Sequence, residues 1–237
     1  MHQAEKLGNA MYTAALSEAA LGISSNAQDY MAFHDANFQL SSNTWWQFMA
    51  TAGGTGRALD LVASTGAVNS TLWYLMSAAT DPRFAEYFDA TNAADGAMNA
   101  NRLSPAFPQP FVTYNENQLI IAEANLALGT QAAADAAYDA ERTAWTTTTP
   151  WHSSIVLPAR VGSVTLAEVM YEKYVTLFQN TEVWNDWKRT CTPRISQRPG
   201  GVPGRLYYGQ RERQSNTNIP ATSKQPARNA NDPTACT

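Results

Sequence analysis

The sequence predicts a mostly α-helical fold with long irregular loops, on three observations. From Tyr114 to Leu128, Leu119, Ala122 and Leu126 recur at helical spacing, as do Ile120, Ala124, Ala127 and Leu128. A helix apolar over so much of its circumference packs on more than one side. Gly129 follows where a left-handed C-cap is expected, and Ala132 to Trp145 restarts the pattern at once, so the two helices form an antiparallel hairpin with small residues at the contact. Further on, Leu166, Val169, Met170, Tyr174, Leu177 and Phe178 mark the inner face of another helix, opened by Thr165 with Glu168 three later, a capping box. Finally, no pair of segments reads convincingly as paired strands.

The other elements follow in chain order. Ala4 to Leu21 reads as one helix stopped by Gly22, and Asn26 to Phe33 as a short one. Ser41 to Thr44 supplies N-cap residues for a helix carrying Trp45 and Trp46. Ala52 to Arg57 is a glycine-rich turn before a helical stretch at Ala58 to Ser64; it lacks both the Lys-Ser/Thr of a P-loop and the third glycine of a dinucleotide loop. Thr71 to Ala79 is an apolar helix. Asp81 caps the next one with Pro82 at its first position, and Phe84, Tyr87 and Phe88 form the buried face. Asn92 to Gln109 is an ordered loop. Thr146 to His152 is a loop with an exposed-looking Trp151, and a short helix holds Val183, Trp184 and Trp187. Residues 1–218 are expected to form a single domain and 219–237 an extended tail.

Hydrophobic residues make up 44% of the 237, enough for a sizeable core, while charged residues are only 15%. A polar but uncharged surface suits a protein that meets neutral ligands. From Lys188 onward nine Lys and Arg stand against Glu212 and Asp232, in a chain whose net charge is −4. These basic residues are scattered among Pro, Gly and Asn and line no helix, so nucleic acid is not an expected partner. No stretch is long and apolar enough to span a membrane. Met1 to Lys6 reads as an amphipathic helix, not as a secretory signal. In an oxidising compartment, Cys191 and Cys236 are candidates to pair.

The residues of catalytic and metal chemistry are dispersed. His2, His34 and His152 lie far apart with no ligand neighbour at helical spacing, and there is no nucleophile elbow. Glu116 with Glu123, and Glu182 with Asp186, are carboxylates near one helical face, which alone does not make a hydrolytic pair. No enzyme activity, cofactor or metal is expected. Aromatic residues are more informative, because their faces stack on sugars. Trp184 and Trp187 read as core residues. Trp151, and Trp45 or Trp46, a tandem pair of which only one can face inward, are the ligand-binding candidates.

At this point the residues resemble a family. Tyr114-Asn115-Glu116-x-Gln118-Leu119-Ile120-x-Ala122-Glu123-Ala124 is similar to the helix motif of SusD/RagB-like outer-membrane nutrient-binding proteins. Tyr171-Glu172-Lys173-Tyr174 and Trp184-Asn185-Asp186-Trp187-Lys188-Arg189-Thr190 look like that family's late segment. Pro203-x-Arg205-Leu206-x-Tyr208 with Glu212 and Asn216 is similar to its closing motif, with Gly209 where the family has Pro, and Asp81-Pro82-Arg83 also occurs there. The resemblance covers about Asp81 to Asn218, as the C-terminal portion of a longer family domain would.

The resemblance implies a SusD-like fold of tetratricopeptide-like helical repeats. It implies a non-catalytic lipoprotein of the outer membrane, at the cell surface, that captures oligosaccharides or similar oligomeric nutrients for a TonB-dependent, SusC-like transporter. Within it, Glu123 on its apolar helix needs a buried partner, with Arg189 or Arg205 suited to the role, and Asp186 can pair with Arg189 one turn away. The alternatives are a helical scaffold subunit of a cell-surface or extracellular assembly, with no small ligand, and a carbohydrate-active enzyme.

Overall fold

A computed structural model of the chain describes residues 1–37, 41–51, 71–88, 98–194, 208–221 and 224. It is mostly helical. Helices α1 (His2–Leu7) and α2 (Asn9–Ala20) stand where one helix was expected from Ala4 to Leu21. Gly8 divides them, at φ 85° and ψ −163°. Only glycine occupies that region readily, and no helix continues through it. A second departure follows. Asn26–Gln28 is a single 3-10 turn, and Tyr30–Ala32 is a strand, β1, instead of the expected short helix. Its antiparallel partner is β2 (Gln109–Val112), with Tyr30 opposite Val112 and Ala32 opposite Gln109. The sequence reading found no strand pair because its two members are about eighty residues apart and too short to show alternation.

Helix α3 (Thr44–Thr51) is capped by Asn43, whose Oδ1 accepts from the Trp45 and Trp46 backbone N–H groups at 2.8 and 3.2 Å. After α4 (Thr71–Ala78) the chain turns at Thr80 into the one-turn α5 (Phe84–Tyr87). The central hairpin is α6 (Tyr114–Leu128) and α7 (Gln131–Ala144). Thr113 caps α6 by accepting from the Glu116 N–H at 3.1 Å, and Gly129 closes it in the left-handed conformation, φ 77°. Ala122, Ala134 and Ala137 are buried together and let the two backbones approach. Helix α6 also packs on α2 and on α8 (Leu166–Thr176), which accounts for its broad apolar surface. Helix α8 begins with the expected Thr165/Glu168 capping box. Helix α9 (Glu182–Thr190) packs on α8, and α10 (Gln210–Ser215) is short and exposed. Among the described residues no helix is long and apolar enough to cross a membrane. The expected elements at 52–64, and all of the tail beyond Ala221 except Lys224, lie outside the described residues.

Among the described residues, two apolar cores result. One joins Leu119, Ala122, Ala134 and Val169 between α6, α7 and α8; the other gathers Met76, Tyr87, Phe88, Trp145, Trp151 and Val175. The short N-terminal turn is sewn onto the hairpin by polar side chains. Asn117 donates from Nδ2 to the carbonyls of Ala19 (3.0 Å) and Ile23 (2.9 Å), and Asn26 donates to that of Ala144 (3.1 Å).

A methyl group at Gly129 would meet no atom within 4 Å, so a substitution there is opposed by backbone conformation alone. Gly129→Ala is therefore expected to lower the unfolding free energy by about 1–2 kcal/mol, read from the midpoint of urea denaturation. Gly129→Asn should recover part of that loss, because Asn tolerates the left-handed region.

Candidate functional site

Among the described residues, two buried ion clusters frame the interior. In the first, Glu123 on α6 meets Lys173 on α8 (Nζ to Oε2, 2.7 Å) and Arg189 on α9 (Nη2 to Oε2, 2.7 Å, with Nη1 on Oε1). Asp186 completes it, 2.6 Å from Arg189 Nη2 and 3.2 Å from Lys173 Nζ. Two cations thus balance two carboxylates in a nearly dry space. Opposite charges hold the Glu123 carboxyl below its ordinary range in spite of burial, which pushes the other way. The sequence pointed to Glu123, Asp186 and Arg189 but missed Lys173, whose place in an apolar helix face was the available signal. Arg205 lies outside the described residues.

In the second cluster, Arg83 grips Asp81 with two bonds (Nε to Oδ1, 3.0 Å; Nη2 to Oδ2, 2.7 Å) and Glu172 with a third (Nη1 to Oε2, 2.6 Å). Arg142 pairs with the other oxygen of Glu172. Asp81, expected as a helix cap, is thus chiefly a buried counter-ion. Glu141 lies beside this cluster. Its Oε1 accepts from Asn115 Nδ2 (3.1 Å), Trp145 Nε1 (3.0 Å) and Thr176 Oγ1 (3.2 Å). Burial, and then the neighbouring Glu172, push its pKa up. Glu116, on the first turn of α6, is pushed up to about 7 by burial, with Lys173 opposing and Glu182 and Asp186 adding to the rise. Its Oε2 meets no donor among the described residues.

The aromatic candidates are distributed otherwise than expected. Trp151 is not an exposed loop residue: it is 2% exposed and packs edge-on against Trp145, with ring centroids 5.4 Å apart. Its Nε1 donates to Asp29 Oδ2 at 2.9 Å, and Asp29 Oδ1 accepts from the Tyr114 N–H at 2.8 Å. That half-buried acceptor is what allows the indole to leave the surface. Trp45 and Trp46 are both half-buried, and Trp45 lies against Phe178. Trp184, read as core, is 50% exposed, whereas Trp187 is buried. Cys191 is in a disulfide; the other cysteine of the chain, Cys236, lies outside the described residues.

The Trp151 loop walls a cleft of about 430 Å³. The loop is closed on itself: the Thr149 N–H donates to the His152 carbonyl (3.0 Å), and Thr149 Oγ1 accepts from the Trp151 and His152 N–H groups. Opposite lie Glu86, Asn99, Asn101, Arg102 and Phe107. Asn99 shapes that wall by donating to the Ala85 carbonyl (2.7 Å) and accepting from the Asn101 N–H (2.8 Å). Glu86 accepts from the hydroxyl and the N–H of Ser153 across the cleft. Burial drives the His152 pKa down to about 4, so its ring is neutral near pH 7. Its Nδ1 lies 2.9 Å from the Ser153 carbonyl, which can only accept, so Nδ1 carries the hydrogen. Nε2 is then a bare acceptor, and it meets no donor among the described residues. Nothing in the sequence announced His152 as part of a site, since its neighbours come from a segment about fifty residues earlier.

Arg189→Met would leave Glu123 and Asp186 short of a cation in the interior. A loss of about 3–5 kcal/mol in unfolding free energy is expected, measured by chemical denaturation. Glu116 makes a pH-dependent contribution of definite sign. Its pKa is raised from 4.5 to about 7 in the folded chain. Below the lower value both states are protonated. Between the two, only the unfolded state ionises, so stability falls as pH rises through that window. Glu116→Gln should leave stability nearly unchanged at about pH 4 and raise it by on the order of 2–3 kcal/mol at about pH 8, in paired thermal melts.

No family model, curated protein or solved structure matches the chain.

Proposed function

We propose that this chain is a non-catalytic binding protein that takes an oligosaccharide, or a similar hydroxyl-rich oligomeric nutrient, into the Trp151 cleft. The observation that carries this reading is the cleft wall: asparagines, serines and threonines interleaved with Phe107 and Pro108. Amides and hydroxyls bind hydroxyl groups, and the flat apolar side chains receive the C–H faces of sugar rings. The Ser153 hydroxyl is engaged with Glu86, not with His152, so the wall favours holding a ligand over attacking one.

In this reading the protein is of the SusD/RagB-like kind, with a tetratricopeptide-like helical fold, delivering its ligand to a TonB-dependent, SusC-like transporter at the outer membrane. Support comes from the motif residues themselves. Glu123 of the first motif, Lys173 of the second, and Asp186 and Arg189 of the third share one buried ion cluster, while Asp81, Arg83 and Glu172 share the other. Residues that recur in separated motifs and meet in the interior have a common structural task. The second reading, a scaffold subunit of an extracellular assembly, is favoured by one feature: Tyr30, Phe33, Phe111 and Val112 leave an exposed aromatic patch at the two-stranded sheet.

Titration of tryptophan fluorescence with a panel of neutral oligosaccharides separates the two. Saturable binding is expected, weakened about tenfold by Asn101→Ala, which removes an exposed amide from the cleft wall. A folded protein indifferent to the whole panel would favour the scaffold.

A further inference from the structure

Among the described residues, buried cations are matched with carboxylates, except for one. Arg83, Lys173 and Arg189 each have an anionic partner within 3.2 Å. So do the arginines of the second cleft, of about 340 Å³, where Arg142 meets Glu172 and Arg160 meets Asp139 at 3.1 Å and Asp135 at 3.6 Å. Arg102 is only 4% exposed and has no carboxylate within ion-pair distance among the described residues. Its guanidinium lies over the ring of Tyr87, 4.0 Å from the centroid, and near that of Phe107. Its bonds go to neutral acceptors: Nε to the Glu86 carbonyl (3.1 Å), Nη1 to Gln179 Oε1 (3.1 Å) and Nη2 to the Trp151 carbonyl (3.4 Å). Three of five N–H groups are thereby used, leaving one on each terminal nitrogen. Arg102 lines the 430 Å³ cleft together with His152.

A guanidinium removed from water and given only neutral partners keeps most of its desolvation cost, which an incoming oxyanion would relieve. Burial already presses the Arg102 pKa down, in accord with that cost. The one carboxylate on the described walls, Glu86, is engaged with Ser153 and does not come within ion-pair distance of Arg102. Its charge weakens the attraction for an anion without cancelling it. The hydroxyls of a saccharide then fall to the asparagines and threonines of the same wall.

We propose that the cleft selects acidic saccharides, seating a carboxylate against the free N–H groups of Arg102. This rests on the binding reading above and adds the charge of the ligand to it. Phosphate and sulfate esters of sugars share the same oxyanion chemistry.

The test is calorimetric titration of the whole chain with an oligomer of uronic acid residues, with the methyl ester of that oligomer, with a neutral oligosaccharide of equal length, and with inorganic sulfate. The acid is expected to bind about tenfold or more tightly than its ester, with sulfate weaker than either. Equal affinity for acid and ester would overturn the assignment of Arg102 and leave saccharide binding intact. Sulfate binding as tightly as the acid would overturn the saccharide part and indicate a free-anion site. A lack of response to all four would overturn the binding reading and this proposal with it. Arg102→Gln, where it keeps the wild-type circular dichroism, should remove the preference for the acid, so that acid and ester bind alike. The ester comparison needs no variant and decides the matter if Arg102→Gln does not fold.

Discussion

A helix that buries a glutamate and a lysine side by side must find opposite charges for both, and the fold is arranged around that requirement. Glu172 and Lys173 are consecutive on α8 and both nearly inaccessible to water. Glu172 draws Arg83 from the segment before the hairpin and Arg142 from the end of α7. Lys173 draws Glu123 from the middle of α6 and Asp186 from α9. Desolvating each ion costs several kcal/mol, returned only when its partner arrives with good geometry. The two clusters thus act less as added stability than as registration marks: α6, α7, α8 and α9 have few relative positions in which all of these groups are paired.

The cleft inherits its shape from this arrangement. Arg83 also lies over the ring of Trp145, which in turn supports Trp151 and His152, whose loop is the cleft wall. The buried ions of the second cluster are therefore one residue away from the candidate site, and the rigidity of the wall depends on them. Arg102 stands apart, a cation with the burial of a structural residue and the partners of a binding one.

Much of this was legible in the sequence where the governing interaction is local. Helical periodicity, the Gly129 cap and the Thr165 capping box depend on residues within a few positions of each other, and they were read correctly. Glu123 on an apolar helix announced its need for a cation. The misreadings have physical causes as well. Gly8 was read through because one glycine in a helical pattern does not reveal its φ. Trp151 in a Thr/Pro loop looked exposed, since nothing near it foretold that Asp29 would accept its N–H. Trp184 looked buried because an aromatic residue in an apolar context usually is, although it ended on the wet side of an amphipathic helix. The cleft itself joins two segments that are distant in sequence, and no local pattern encodes such a meeting.

The stitching of the N-terminal turn carries a consequence for the order of folding. Its side-chain hydrogen bonds to the hairpin are all long in sequence: Asn117 to Ala19 spans 98 residues, Asn26 to Ala144 spans 118, and Asp29 to Trp151 spans 122. Closing such loops costs entropy that no single bond repays. The acceptors and donors they seek exist in the right geometry only after α6, α7 and the Trp151 loop have formed. The first thirty residues therefore dock on a surface that the later part of the chain supplies. Asp29, shared between the first turn of α6 and the wall of the cleft, is the latch that closes when they arrive.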